Sequence, residues 1–275
     1  MCLPGTIETV RETQTQVTRR AVLAGGGAAA LAALAPQEAF AHKRRRRRPR
    51  GRVRDLTHTF TAGFPVYSGN PPSRRTLVTV QEDGFYAQEW TFGEHSGTHM
   101  DAPGHFVVGG RLVPQLRPRE LILPIVVIDI SSRAASNPDT VVTSNDLRRF
   151  ERRHGRIPRR ALVAMDSGWS AKIGTPAFTG RDASGTYHFP GFGPDAIEFL
   201  LERRRAAAIG VDTLSLDHGP STTFTVHKQW LGADNYGIEN LANLDAIPRH
   251  GAVASVGVIP WEEGSGGPAR VLATY

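Results

Sequence analysis

The chain has 275 residues, 40% of them hydrophobic, a single cysteine and a formal net charge of +7. One tract, Lys43, Arg44 to Arg48 and Arg50, holds seven positive charges and no acid, so the rest of the chain is balanced and gives no case for a basic, nucleic-acid-binding globular domain. With Cys2 as the only thiol there is no disulfide framework, no thiolate metal site and no cysteine nucleophile, and any metal must be held by His, Asp and Glu.

Residues 1–41 read as a twin-arginine export signal. Thr18-Arg19-Arg20-Ala21-Val22-Leu23 carries the paired arginines, a mildly apolar run follows from Ala21 to Ala35, and Ala39-Phe40-Ala41 supplies small residues at cleavage-site spacing. The run is too short for a stable membrane span, which needs about twenty residues. The expectation is export to the periplasm, cell surface or extracellular space, with no transmembrane span in the mature protein. Residues 42–52 read as a disordered basic linker, because like charges repel and nothing apolar is available to bury. A sharper role for this tract is adhesion to an anionic surface. Residues 53–275 form the predicted globular domain.

Within that domain, β-type runs cover Val53 to His58, Thr76 to Gln81, Tyr86 to Phe92, Leu121 to Ile130, Ala161 to Met165, Ala207 to Val211 and Ala252 to Ile259. Helices are predicted over Ser144 to Arg153, with Leu147 and Phe150 on one face, and from Pro194 to about Arg205. A short third helix is predicted over Phe224 to Leu231. In the second helix Ile197, Leu200 and Leu201 share a face, and Arg203, Arg204 and Arg205 are expected to face water. Trp90 is expected in the core. Strands outnumber helices in a mixed order, which gives an α/β (α+β) domain on a mixed sheet, without a dinucleotide fingerprint or a phosphate loop.

The segment His95-Ser96-Gly97-Thr98-His99-Met100-Asp101-Ala102-Pro103-Gly104-His105-Phe106 packs three imidazoles and a carboxylate into eleven positions with small residues between. Such a donor set suits a divalent cation such as zinc or manganese. Gly97, Pro103 and Gly104 argue against a helix and for a strand ending in a tight loop. A metal-dependent hydrolase follows, since a divalent ion brings the pKa of water from about 15.7 toward about 7. Downstream, His227 and Glu239 stand twelve residues apart, which alone says little. Ser167-Gly168-Trp169 lacks the glycine pattern of a nucleophile elbow. His58, His154, His188, His218 and His250 have no partner at ligand spacing and are expected to be structural or exposed.

HSGTHMDAPGHF resembles the signature of the cyclase family of metal-dependent hydrolases, which includes bacterial kynurenine formamidase (arylformamidase) and isatin hydrolase. The likeness extends to Asp55-Leu56-Thr57-His58, to Gly63-Phe64-Pro65-Val66-Tyr67-Ser68-Gly69-Asn70-Pro71 and to Phe189-Pro190-Gly191-Phe192. It continues through Gly210-Val211-Asp212-Thr213 and Ser215-Leu216-Asp217, and His227 with Glu239-Asn240-Leu241 matches the family's distal ligand pair. The resemblance implies a swivelling β/β/α type mixed-sheet domain. It implies His95, His99 and Asp101 as ligands of a first metal, Asp101 as a bridge, and His227 and Glu239 completing a second site. One or two ions per subunit follow, zinc before manganese. His105 is implied as proton donor and acceptor, and Tyr67 as the aromatic substrate contact, where formamidases commonly carry Trp.

The expected reaction is attack of a metal-activated water on the carbonyl of a small amide, formamide, cyclic amide or lactone. The substrate is a small molecule, no specific nucleic acid is expected, and the family likeness implies a homodimer or homotetramer. The alternative is a non-catalytic metal-binding or cell-surface-attached protein of the same fold.

Overall fold

The structure, a computed structural model, describes residues 51–275. The export signal over 1–41 and the arginine tract up to Arg50 lie outside the described residues. Strands β1 to β12 are, in order, Val53–Asp55, Ser73–Val78, Ala87–Thr91, His99–Asp101, Ile122–Asp129, Val141–Val142, Leu162–Asp166, Gly191–Phe192, Ala208–Val211, Tyr236–Glu239, Ala252–Val258 and Gly266–Thr274.

The described chain divides into two compact units, residues 74–91 and residues 51–73 with 92–275. The smaller is a hairpin in which β2 pairs with β3. A single helical turn, Val80–Asp83, interrupts what the sequence suggested was strand up to residue 81. Thr79 caps this turn by accepting the Glu82 N–H at 3.3 Å. Trp90, expected in the core, is only half-buried, and the Arg74 guanidinium lies 5.9 Å from its ring centre.

The larger unit is built on a sheet with the order β1-β12-β11-β5-β7-β9-β10-β4, and β12 also pairs with β4, which closes it into a barrel. The pairs β5–β7, β7–β9 and β9–β10 are parallel, and the others are antiparallel. Arg52 extends the ladder beyond β1, exchanging hydrogen bonds with Tyr275 at 2.7 and 2.9 Å.

Burial on both faces explains the continuous apolar runs. In β5 and β7, Ile125, Val127, Leu162 and Ala164 fill the barrel together with Met100, Ile238 and several alanines. Their neighbours Val126, Ile128, Val163 and Met165 point the other way, against helices. Those helices are α1 (Ser144–His154), α2 (Pro194–Glu198) and α3 (Thr225–Gly232). A capping box starts α1: Thr143 Oγ1 accepts the Asp146 N–H, and the Asp146 carboxylate accepts the Thr143 N–H. Leu147 and Phe150 are buried beneath it, as the spacing predicts.

The second predicted helix keeps its extent but not its geometry. After Glu198 the chain widens into a π turn over Phe199–Arg204 and ends at Arg205 in the left-handed region, φ 52°. Arg204 does not face water. It forks onto both oxygens of Glu151 at the foot of α1. No helix among the described residues is long and apolar enough to cross a membrane.

Candidate metal centre

Strand pairing brings the two distant motifs together. In β4, His99 and Asp101 share one face, because side chains two apart on a strand point the same way. Met100 between them points into the barrel core. The antiparallel register with β10 sets Glu239 opposite His99 and Gly237 opposite Asp101. On the other edge β12 sets Gly266 opposite Asp101, and a Cβ there would collide with the His95 ring. His227 enters from α3. After β4 the chain turns through Pro103–His105, which returns His105 to the same place as the spacing suggested.

Two groups of donors result, His95 with His99 and Asp101, and Asp101 with His227 and Glu239, the atoms of each within 4.8 Å of one another. Asp101 Oδ1 lies 2.6 Å from His95 Nδ1 and 3.4 Å from His99 Nε2. Its Oδ2 lies 3.8 Å from His227 Nε2. Glu239 reaches His99 Nε2 at 3.4 Å and His227 Nε2 at 3.1 Å. All five ligand candidates from the sequence are therefore in one cluster, and Asp101 is shared by both groups.

Their hydrogen bonds orient the imidazoles as a cation requires. His99 Nδ1 donates to the Gly97 carbonyl at 2.9 Å, which frees Nε2 to face the carboxylates. Gly97 takes φ 70°, and a Cβ on it would meet the Phe60 ring, so glycine is needed at this bend. His227 Nδ1 donates to Asp217 Oδ2 at 2.7 Å, again leaving Nε2 toward Asp101 and Glu239. Asp217 also accepts the backbone N–H groups of Val226 and His227, so one carboxylate both starts α3 and aims its histidine.

The cluster is electrostatically poised for positive charge. Burial opposes charge on His99, yet hydrogen bonds and attraction from Asp101 and Glu239 raise it to about 10. His227 is likewise raised against its burial by Asp101, Asp217 and Glu239, and Asp101 is held well below the carboxylate range by His227, His95 and His99. Asp101 Oδ2 is buried without a hydrogen-bond donor. Three imidazole nitrogens and two carboxylates, one of which holds the orphaned buried oxygen, fit a divalent cation.

Because His99 carries a proton at neutral pH in the metal-free protein, metal uptake must displace it. Affinity is expected to rise with pH between about 6.5 and 10, by about tenfold per pH unit for each proton displaced. Calorimetry in two buffers of different ionisation heat reads the protons released. No release at pH 7 would contradict the charge state described.

His105 stands apart from both donor groups. Its ring stacks on His95 at 3.7 Å between centres and lies 6.2 Å from His227. Burial lowers it to about 4, so it is neutral at pH 7. A cavity of about 380 Å³ opens over these residues, with Pro65, Val66, Leu214, Tyr67, Phe106 and Phe224 among its walls. Tyr67 stacks on Tyr187 at 4.9 Å and meets Phe224 edge-on at 5.6 Å. Phe224 holds a left-handed backbone, φ 50°, which is unusual for a bulky side chain and delays the start of α3 by one residue relative to the sequence reading.

The other histidines join neither donor group. His154 and His250 are exposed, His188 bridges Asp139 and Asp182, and His58 is half-buried against Phe64 and Phe178. Ser167 Oγ donates to Asp212 at 2.6 Å rather than to an imidazole, so it is no activated nucleophile.

Asp217, to which the motif reading gave no role, holds the ring of His227. An aspartate ten residues before a histidine has no local signature, and only the close approach of β9's loop to α3 reveals it. Asp217→Asn is expected to weaken metal binding by about 10- to 100-fold while the fold persists. Competition with a chelator measures it, and unchanged affinity would show that Asp217 merely caps α3.

Residues 54–218 match the family described as putative cyclase. Isatin hydrolase of Roseibium aggregatum is 37% identical over 223 residues, covering 76% of this chain and 84% of that protein. Among solved structures, isatin hydrolase A from Labrenzia aggregata, bound to benzyl benzoate, is 34% identical with a TM-score of 0.77, covering 81% of this chain and 93% of its own. An isatin hydrolase bound to the product analogue thioisatinate is 30% identical with a TM-score of 0.77, covering 82% and 93%. The chain belongs to the cyclase family, together with these isatin hydrolases.

Proposed function

We propose that this protein hydrolyses the C–N bond of a small aromatic cyclic amide, with aryl formamides as poorer substrates. The observation that carries this reading is one cavity in which an aromatic wall, a buried donor cluster and a histidine outside that cluster converge. His95, His99, Asp101, His227 and Glu239 would hold one or two ions, zinc before manganese because three of the five donors are imidazoles. When bound, such a cation supplies Lewis acidity, easing deprotonation of water and polarising a carbonyl oxygen.

The protein groups divide the remaining work. Tyr67, Phe106 and Phe224 present ring faces and edges to a flat substrate. Pro65, Val66 and Leu214 exclude water around it. His105, neutral at pH 7, accepts the proton of the attacking water and passes it to the departing nitrogen. The amine therefore leaves neutral and His105 returns to its starting state. Tyr67 in place of the tryptophan common in formamidases, and the isatin hydrolases among the relatives, favour the cyclic amide.

The test is a panel of isatin, N-formylkynurenine and a simple lactone, given to the full-length protein with and without added zinc or manganese. Metal-dependent opening of isatin, faster than formyl hydrolysis, is expected. No turnover of any of the three by metal-replete protein would sink the reading.

A further inference from the structure

His95 is held differently from the other two histidines of the cluster. Its side chain is 26% exposed, against 3% for His99 and 4% for His227, so packing alone does not fix its ring. Both of its nitrogens have partners instead. Nδ1 lies 2.6 Å from Asp101 Oδ1, and Nε2 lies 3.1 Å from Ser265 Oγ. Turning the ring over would set carbon atoms against both oxygens, so these partners fix which edge faces the donor cluster.

The groups beyond Ser265 settle where the ring hydrogen sits. Glu94 Oε2 accepts the Ser265 N–H at 2.8 Å, the Gly266 N–H at 3.2 Å and the Ser265 hydroxyl at 2.8 Å. A carboxylate accepts, and a hydroxyl has one hydrogen to give, so that hydrogen points to Glu94. Toward His95 the same hydroxyl oxygen can only accept. His95 Nε2 therefore carries a hydrogen, and Nδ1 is the nitrogen offered to the cluster. His99 and His227 are held the other way round. Their Nδ1 atoms donate to Gly97 and Asp217, and their Nε2 atoms face Glu239.

We propose that Glu94 and Ser265 are positioning residues that hold His95 in its Nε2–H form, so that it binds the metal through Nδ1 while His99 and His227 bind through Nε2. The proposal rests on the metal-binding part of the reading above and not on the choice of substrate. The same hold fixes the ring on which His105 stacks.

Two measurements on the full-length protein test it. The first is nuclear magnetic resonance of protein carrying nitrogen-15 histidine and loaded with cadmium-113, where coupling between the two nuclei marks each bound nitrogen. One imidazole bound through Nδ1, with its Nε2 protonated, is expected. Binding of every imidazole through Nε2 would overturn the proposal.

The second is zinc affinity by competition with a chelator. Ser265→Ala is expected to weaken binding by about 10- to 100-fold, and Ser265→Thr, which keeps the hydroxyl, to stay within about threefold of the wild type. Glu94→Ala is expected to weaken it as well, at an exposed position where the change leaves no buried gap. Unchanged affinity in either alanine variant, or equal losses in Ser265→Ala and Ser265→Thr, would overturn the proposal. Should the variants not fold, the cadmium spectrum of the wild-type protein decides alone. Failure of the underlying reading has a separate signature, a wild-type protein that takes up neither cadmium nor zinc, and it removes the proposal as well.

Discussion

Asp101→Ala is expected to strip the protein of its metal and bring hydrolysis to background. Asp101 touches every histidine of the cluster: Oδ1 faces His95 and His99, and Oδ2 faces His227. It is the one residue common to both donor groups. Its loss takes a ligand from each and leaves His99 and His227 with Glu239 alone. Asp101 is 1% exposed, so the metal-free variant also loses a buried partner of charged imidazoles, at a cost of about 3–5 kcal/mol. Elemental analysis after gel filtration reads the first effect, and thermal melting of metal-free protein reads the second. Full metal occupancy in the variant would overturn the ligand assignment.

His105→Ala is expected to behave in the opposite way. Metal content should match the wild type, because His105 belongs to neither donor group, while kcat falls by about 10²- to 10⁴-fold with little change in KM. The ring stacks on His95 without a hydrogen bond to it, so its removal leaves the hydrogen bonds of His95 to Asp101 and Ser265 in place. Metal loss in this variant would make His105 a ligand first and a proton carrier second. An unchanged kcat with metal retained would move the proton transfer elsewhere.

Much of this site is legible in the chain because its donors are dense in sequence. His95, His99, Asp101 and His105 fall within one loop and strand, and glycine and proline at fixed offsets announce the bend. Helix α1 was equally readable, since Leu147 and Phe150 stand at helical spacing on the face that is buried, although the capping box of Thr143 and Asp146 emerges only in the structure. The barrel was not. Strand β12 opens with Gly266-Gly267-Pro268, which local propensity rejects, and it becomes a strand by pairing with β1, β4 and β11. Strand β10 is only four residues long and takes its identity from β4 and β9 on either side.

For the same reason the distal pair carried little weight by spacing alone. Its meaning comes from the register that sets Glu239 against His99. The fork of Arg204 onto Glu151 and the carboxylate of Asp217 behind His227 are likewise products of tertiary approach, invisible to a reading along the chain.

Anomalous diffraction from crystals of the zinc- or manganese-loaded protein, collected at the absorption edge of that metal, tests the central claim most directly. The account predicts a peak bounded by His95, His99 and Asp101, at about 2.0–2.2 Å from its ligand atoms, and allows a second beside His227 and Glu239. A map with no peak among these side chains, from protein that still hydrolyses its substrate, would contradict it.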